Sequence, residues 1–80
     1  MSKPLCQREI DILGLVACGN SYKRIARVMT LSEPTIKFYM GRARQKLGAV
    51  SSGHAVALFV QSEYYVKITT LEPMQNYTNA

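Results

Sequence analysis

The sequence predicts an all-α domain of four short helices. Three observations lead there. Apolar residues recur at three- and four-residue steps through most of the chain. Serines and glycines fall where such helices would begin and end. Aliphatic residues are plentiful, Trp is absent and Gly and Pro are few, a composition that suits helices. Eighty residues, 48% of them apolar, suffice for one domain with a modest core.

The first helix is expected from Gln7 to Ala17. Ile10, Leu13, Val16 and Ala17 make its apolar stripe, and Ile12 and Leu15 widen it. Cys6 is a poor cap, whereas Glu9 stands where a capping-box acid reaches back. "CGN" at 18–20 stops the helix, with Gly19 as the left-handed residue. Ser21 caps a second helix, Tyr22 to Met29, with Ile25, Ala26 and Met29 turned inward. Thr30 and Leu31 leave room only for a sharp turn. Ser32 caps the third helix, which runs to Leu47 and stops at Gly48. Glu33 suits the dipole at its start, and Pro34 is tolerated where N–H groups lack intrahelical acceptors. Two helices joined so tightly, the second of them basic, fit a helix-turn-helix. The fourth helix is expected after Ser51 and Ser52, through "GHAVALFVQSEYY". Ala55, Leu58 and Phe59 lie on one side and Val56 and Val60 on another, as for a helix with both a core and a partner, or one wholly buried. Residues 1–66 are taken as the domain. Residues 67–80, at the end of "VKITTLEPMQNYTNA", read as a polar, irregular tail.

Charge is distributed unevenly. Residues 1–50 carry nine Lys and Arg against three acids, and residues 51–80 carry one base against two acids. A basic first half suggests a polyanion partner on one side of the molecule. The third helix shows how that partner would be met. Ile36, Met40, Ala43 and Leu47 fall on one line and are expected to be buried. Opposite them lie Pro34, Phe38, Gly41 and Gln45, with Lys37 and Arg44 on one shoulder and Thr35, Arg42 and Lys46 on or toward the other. A helix in the DNA major groove needs this layout, with adaptable side chains toward base edges and cations toward the phosphate walls. Phe38 suits a thymine methyl, Gln45 an adenine edge, and Gly41 a close approach of the backbone.

Other functional classes find little support. Cys6, Cys18 and His54 are too few for a zinc site. Both cysteines are expected as reduced thiols packed at helix edges, as in a cytoplasmic protein. No paired carboxylates or phosphate-cradling loop point to catalysis, and no cofactor is expected. The longest apolar run, "AVALFV" at 55–60, is far too short to span a bilayer. Arg8 and Asp11 read as a surface ion pair, and His54 as a solvated or capping residue.

Residues 5 to about 60 resemble the LuxR-type (GerE-like) helix-turn-helix DNA-binding domain, and look most like the C-terminal domains of quorum-sensing regulators. The resemblance is carried by Leu5, Arg8, Glu9, Ile12-Leu13, the Gly19-x-Ser21 turn, Lys23, Ile25-Ala26, Leu31-Ser32, Thr35-Ile36-Lys37, Lys46-Leu47-Gly48 and Ala55-Val56. It implies a four-helix bacterial transcription regulator that binds double-stranded DNA as a homodimer. It would place Lys37, Phe38 and Gly41 at the bases, and with glycine at 41 the readout is expected to move toward Arg42 and Gln45. The resemblance would put phosphate contacts at Ser21, Tyr22, Lys23, Ser32 and Thr35, to which the shoulders of the third helix add Arg44 and Lys46. Val56, Phe59, Val60 and Glu63 of the fourth helix would form the dimer interface. The chain departs from the family at Gly41, where a side chain often contacts DNA, at Tyr39, where His is common, and at Ser52, where Arg is usual. With no receiver or autoinducer domain before it, the chain reads as stand-alone, under the control of abundance, a partner or the tail. A full-length LuxR-type regulator and RNA polymerase are further partners to consider. A second reading is an antagonist that heterodimerises through the fourth helix with such a regulator and blocks it.

Overall fold

A computed structural model describes residues 4–62. Its helices are α1 (Gln7–Ala17), α2 (Tyr22–Met29), α3 (Glu33–Leu47) and α4 (Ser52–Val60). No strand occurs among the described residues, and none of the helices is long and apolar enough to cross a membrane. The expected tail, Glu63 and the end of the 1–66 domain lie outside the described residues.

Local chemistry sets most of the helix ends. Ser21, Ser32 and Ser51 each accept a hydrogen bond from the N–H three residues on, at 3.0 to 3.2 Å. Each thereby satisfies one of the N–H groups that a helix leaves without an acceptor. At α1 the Glu9 carboxylate accepts from the Cys6 N–H at 2.9 Å, which secures an end that cysteine alone would hold poorly. Gly19 and Gly48 adopt positive φ after α1 and α3. There Asn20 N–H returns to Leu15 O and Ala49 N–H to Arg44 O, closing both helices. The turn between α2 and α3 is unusual. Thr30, a β-branched residue, takes φ 57° and ψ 47°, a region that costs such side chains about 1–2 kcal/mol. Leu31 N–H reaches Ala26 O at 2.8 Å across that turn.

Helix α3 packs against the other three and forms the centre of the molecule. Ile12 and Leu13 of α1, Ile25 and Ala26 of α2, Ile36, Met40 and Ala43 of α3, and Ala55 and Phe59 of α4 are buried, joined by Leu5 and Ala49. The expected buried line of α3 therefore holds, with Leu47 half-buried at its end. Three expectations need correction. Ile12, assigned to the flank of the α1 stripe, is completely buried, while Ile10 is half-buried. Phe59 is completely buried too. It serves the core of the chain, where α4 packs against α1 and α3, and leaves no side-chain surface for a partner. Finally, α4 ends at Val60, where Ser62 directs both its N–H and its hydroxyl to the Phe59 carbonyl and tightens the chain into a turn.

Candidate nucleic-acid interface

The buried side of α3 leaves its opposite side to solvent. Pro34, Lys37, Phe38, Arg42 and Gln45 are exposed and Gly41 is half-exposed. Phe38 is 58% exposed, so a large aromatic ring stands in water on the ridge. It makes a T-shaped contact with the Tyr39 ring, centroids 5.6 Å apart and 71° between planes, and the Arg42 guanidinium lies over its face, 5.6 Å from the centroid. At Gly41 a Cβ would find nothing within 4 Å. No folding contact therefore calls for glycine in this helical position.

The basic residues separate into free and engaged groups. Lys23 and Lys37 are exposed, as is Arg27 of α2, whereas Arg24, also exposed, donates through Nε to the Asn20 amide oxygen at 2.9 Å; the family pattern does not bring out these two arginines. Arg44 is half-buried and donates through Nη1 to the Ala49 carbonyl at 3.3 Å. Lys46 departs most from its expected role. Its ammonium binds both Glu9 oxygens, at 2.8 and 3.0 Å, and only 13% of its side chain is exposed. The expected phosphate contact is in this structure a clamp between α1 and α3. Arg42 approaches the same carboxylate through Nε at 3.4 Å while keeping 50% of its side chain exposed.

Glu9 is thus a buried carboxylate facing two cations and a backbone N–H. Burial disfavours its charge, but the Lys46 hydrogen bond, the Cys6 N–H and the Lys46 charge outweigh that effect and hold its pKa below the usual glutamate value. The expected pairing of Arg8 with Asp11 is replaced. Arg8 stands over the Tyr39 ring at 5.9 Å, and Asp11 accepts from the Gln7 amide at 2.8 Å.

Ser21 and Ser32, expected near phosphate, are exposed caps, and Ser32 also shares a 2.8 Å hydrogen bond with the half-buried Thr35 hydroxyl. Tyr22 is half-buried, its hydroxyl 3.5 Å from that of Ser52. His54 accepts from the Val50 N–H through Nδ1 at 3.0 Å, a capping role at the start of α4. Val56 and Val60 are half-buried on α4. Cys6 and Cys18 are free and exposed at the two ends of α1, rather than packed.

Four helices, a tight α2–α3 turn and an α3 ridge carrying an exposed aromatic among cations define a helix-turn-helix DNA-binding domain. Comparison with known proteins gives the same class and refines it. The family described as bacterial regulatory proteins, luxR family, matches residues 3–59, and the chain belongs to that family. Similar proteins include the transcriptional activator protein CarR of Pectobacterium carotovorum subsp. carotovorum, 38% identical over 52 residues, which are 65% of this chain and 21% of CarR. The transcriptional activator protein EchR of Dickeya chrysanthemi is 33% identical over 69 residues, 86% of this chain and 26% of EchR. The nitrate/nitrite response regulator protein NarP of Escherichia coli (strain K12) is 40% identical over 57 residues, 71% of this chain and 26% of NarP. The chain thus spans about a quarter or less of the length of these curated relatives.

Proposed function

We propose that this chain regulates transcription in the cytoplasm by binding duplex DNA as a homodimer, with α3 in the major groove. The observation that carries the reading is the outer ridge of α3. Phe38, Gly41 and Gln45 present an aromatic face, an open backbone and an amide, flanked by the exposed cations Lys37 and Arg42. Lys37, Phe38, Gly41, Arg42 and Gln45 meet base edges. Ser21, Tyr22, Lys23, Ser32, Thr35 and Arg44 meet phosphate, with Arg24 and Arg27 adding positive charge from α2. Val56 and Val60 of α4 supply the apolar part of the dimer contact, a role in which Phe59 takes no part.

Selection from a random duplex library at physiological salt tests this reading. The expected product is a two-fold symmetric site with half-sites about one helical turn apart. An unenriched pool refutes it.

The antagonist is the second reading, and one observation favours it. Lys46 is withdrawn to Glu9 and Arg44 partly to Ala49, which leaves fewer free cations than the sequence counts. Light scattering distinguishes the two: a monomer without duplex affinity that captures a LuxR-type regulator is the antagonist.

A further inference from the structure

We infer that Phe38 and Arg42 form one pre-assembled reading unit for a thymine methyl and a nearby guanine on the bound duplex. The inference rests on α3 lying in the major groove and goes further, by naming the base chemistry that two of its residues select.

The arrangement starts from helix spacing. Residues four apart share a face and are separated by about 6 Å along the axis, close to two base-pair steps of about 3.4 Å. Here the two side chains are also in contact, with the Arg42 guanidinium over the Phe38 ring at 5.6 Å. Each is held from a second direction. The Phe38 ring packs T-shaped with Tyr39, and Tyr39 in turn carries Arg8 of α1 on its own ring. Arg42 is drawn toward Glu9 through Nε. Glu9 itself is fixed by Lys46 and by the Cys6 N–H, so the carboxylate is a rigid post rather than a mobile partner.

This tether has a chemical consequence. Glu9 engages the inner nitrogen of Arg42, and the two terminal nitrogens remain to donate from a side chain that is half exposed. A planar pair of donors matches the guanine O6 and N7 acceptors in the major groove, the commonest base-specific contact of arginine. Beside it, the exposed face and edge of Phe38 have no hydrogen bond to give. In the groove their match is the C5 methyl of thymine, the apolar group that a T·A pair displays there. The open space over Gly41, between these residues in the chain, removes the side chain that would otherwise hold the helix away from the bases. Because ring and guanidinium are stacked before binding, little side-chain freedom is lost on contact.

The test uses the full chain and the tightest duplex recovered by selection. Replacing each thymine in turn by deoxyuridine removes only the methyl group. One position per half-site should lose about fourfold in affinity, as expected for burying one such group. At a guanine one or two steps away, 7-deazaguanine removes N7 and should cost roughly tenfold, within the range for a bidentate contact. Phe38→Ala should abolish the first sensitivity and Arg42→Ala the second, while each leaves the helical circular dichroism signal unchanged.

An enriched duplex with no uridine-sensitive position overturns the inference and leaves DNA binding standing. So does an Arg42→Ala chain that weakens all duplexes equally with a lower salt dependence, since that behaviour belongs to a phosphate contact. Failure to enrich any duplex removes the groove reading itself and the inference with it.

Discussion

Replacing Gly41 with alanine sets what α3 needs in order to fold against what it needs in order to bind. Gly41 lies in the middle of a fifteen-residue helix and is not among the glycines with positive φ. In such a position glycine costs about 0.8–1.0 kcal/mol relative to alanine. The usual reason to discount that figure is a clash, and here a Cβ would meet nothing within 4 Å. Gly41→Ala should therefore stabilise the chain by nearly the full amount. For a domain of this size the melting temperature should rise by roughly 3–8 °C, read by circular dichroism. Binding should move the other way. If the helix backbone approaches the bases at Gly41, a methyl there forces it outward, and duplex affinity measured by fluorescence anisotropy should fall about tenfold, or about 1.4 kcal/mol. A lower melting temperature would refute the openness of this face. A higher one with unchanged affinity would refute the close approach.

Three further outcomes follow from the same geometry. Lys46→Met strips the buried Glu9 carboxylate of its principal partner and should cost about 3 kcal/mol at neutral pH by urea unfolding. In the unmodified chain the Glu9 pKa is lowered on folding, so its contribution is complete above the ordinary glutamate value, about 4.3, and fades as pH falls through the folded value. In Lys46→Met burial dominates instead, and the variant should regain stability on acidification; a parallel loss in both chains would contradict the clamp. Lys23→Ala should reduce the slope of log affinity against log salt by about one without changing the melting temperature, whereas an unchanged slope would remove Lys23 from the DNA surface. Thr30→Gly should stabilise the chain by about 1 kcal/mol by relieving the left-handed threonine, and a neutral or negative effect would show that the Thr30 side chain compensates for its own conformation.

What could be read in advance was chemistry that acts over a few residues. Ser21, Ser32 and Ser51 announce helix starts because a hydroxyl reaches an N–H three residues on. Gly19 and Gly48 announce stops because the turn requires positive φ. The two sides of α3 follow from its period alone, so the ridge of the candidate interface was legible as well. Contacts between helices were not. Glu9 and Lys46 are 37 positions apart, and a cation on the flank of a basic helix gives no local sign that it is bound to another helix. Phe59 failed for a related reason. On α4 the period allows two apolar sides, and only the packing of α1 and α3 decides which of them is closed. The stacking of Arg42 on Phe38 obeys the four-residue rule but depends on a rotamer that Glu9 helps to set.

The left-handed turn at Thr30 has a bearing on how the binding head can arise at all. A peptide cut to α2 and α3 would have little reason to visit that conformation, since its own residues disfavour it and eight residues of α2 are too short to persist alone in water. The bend between the two helices is imposed from outside, by α1 packing against both α2 and α3 and by α4 packing against α3. Minimised fragments of the motif should consequently be silent toward DNA, and the angle at which the chain addresses its target is a property of the whole bundle.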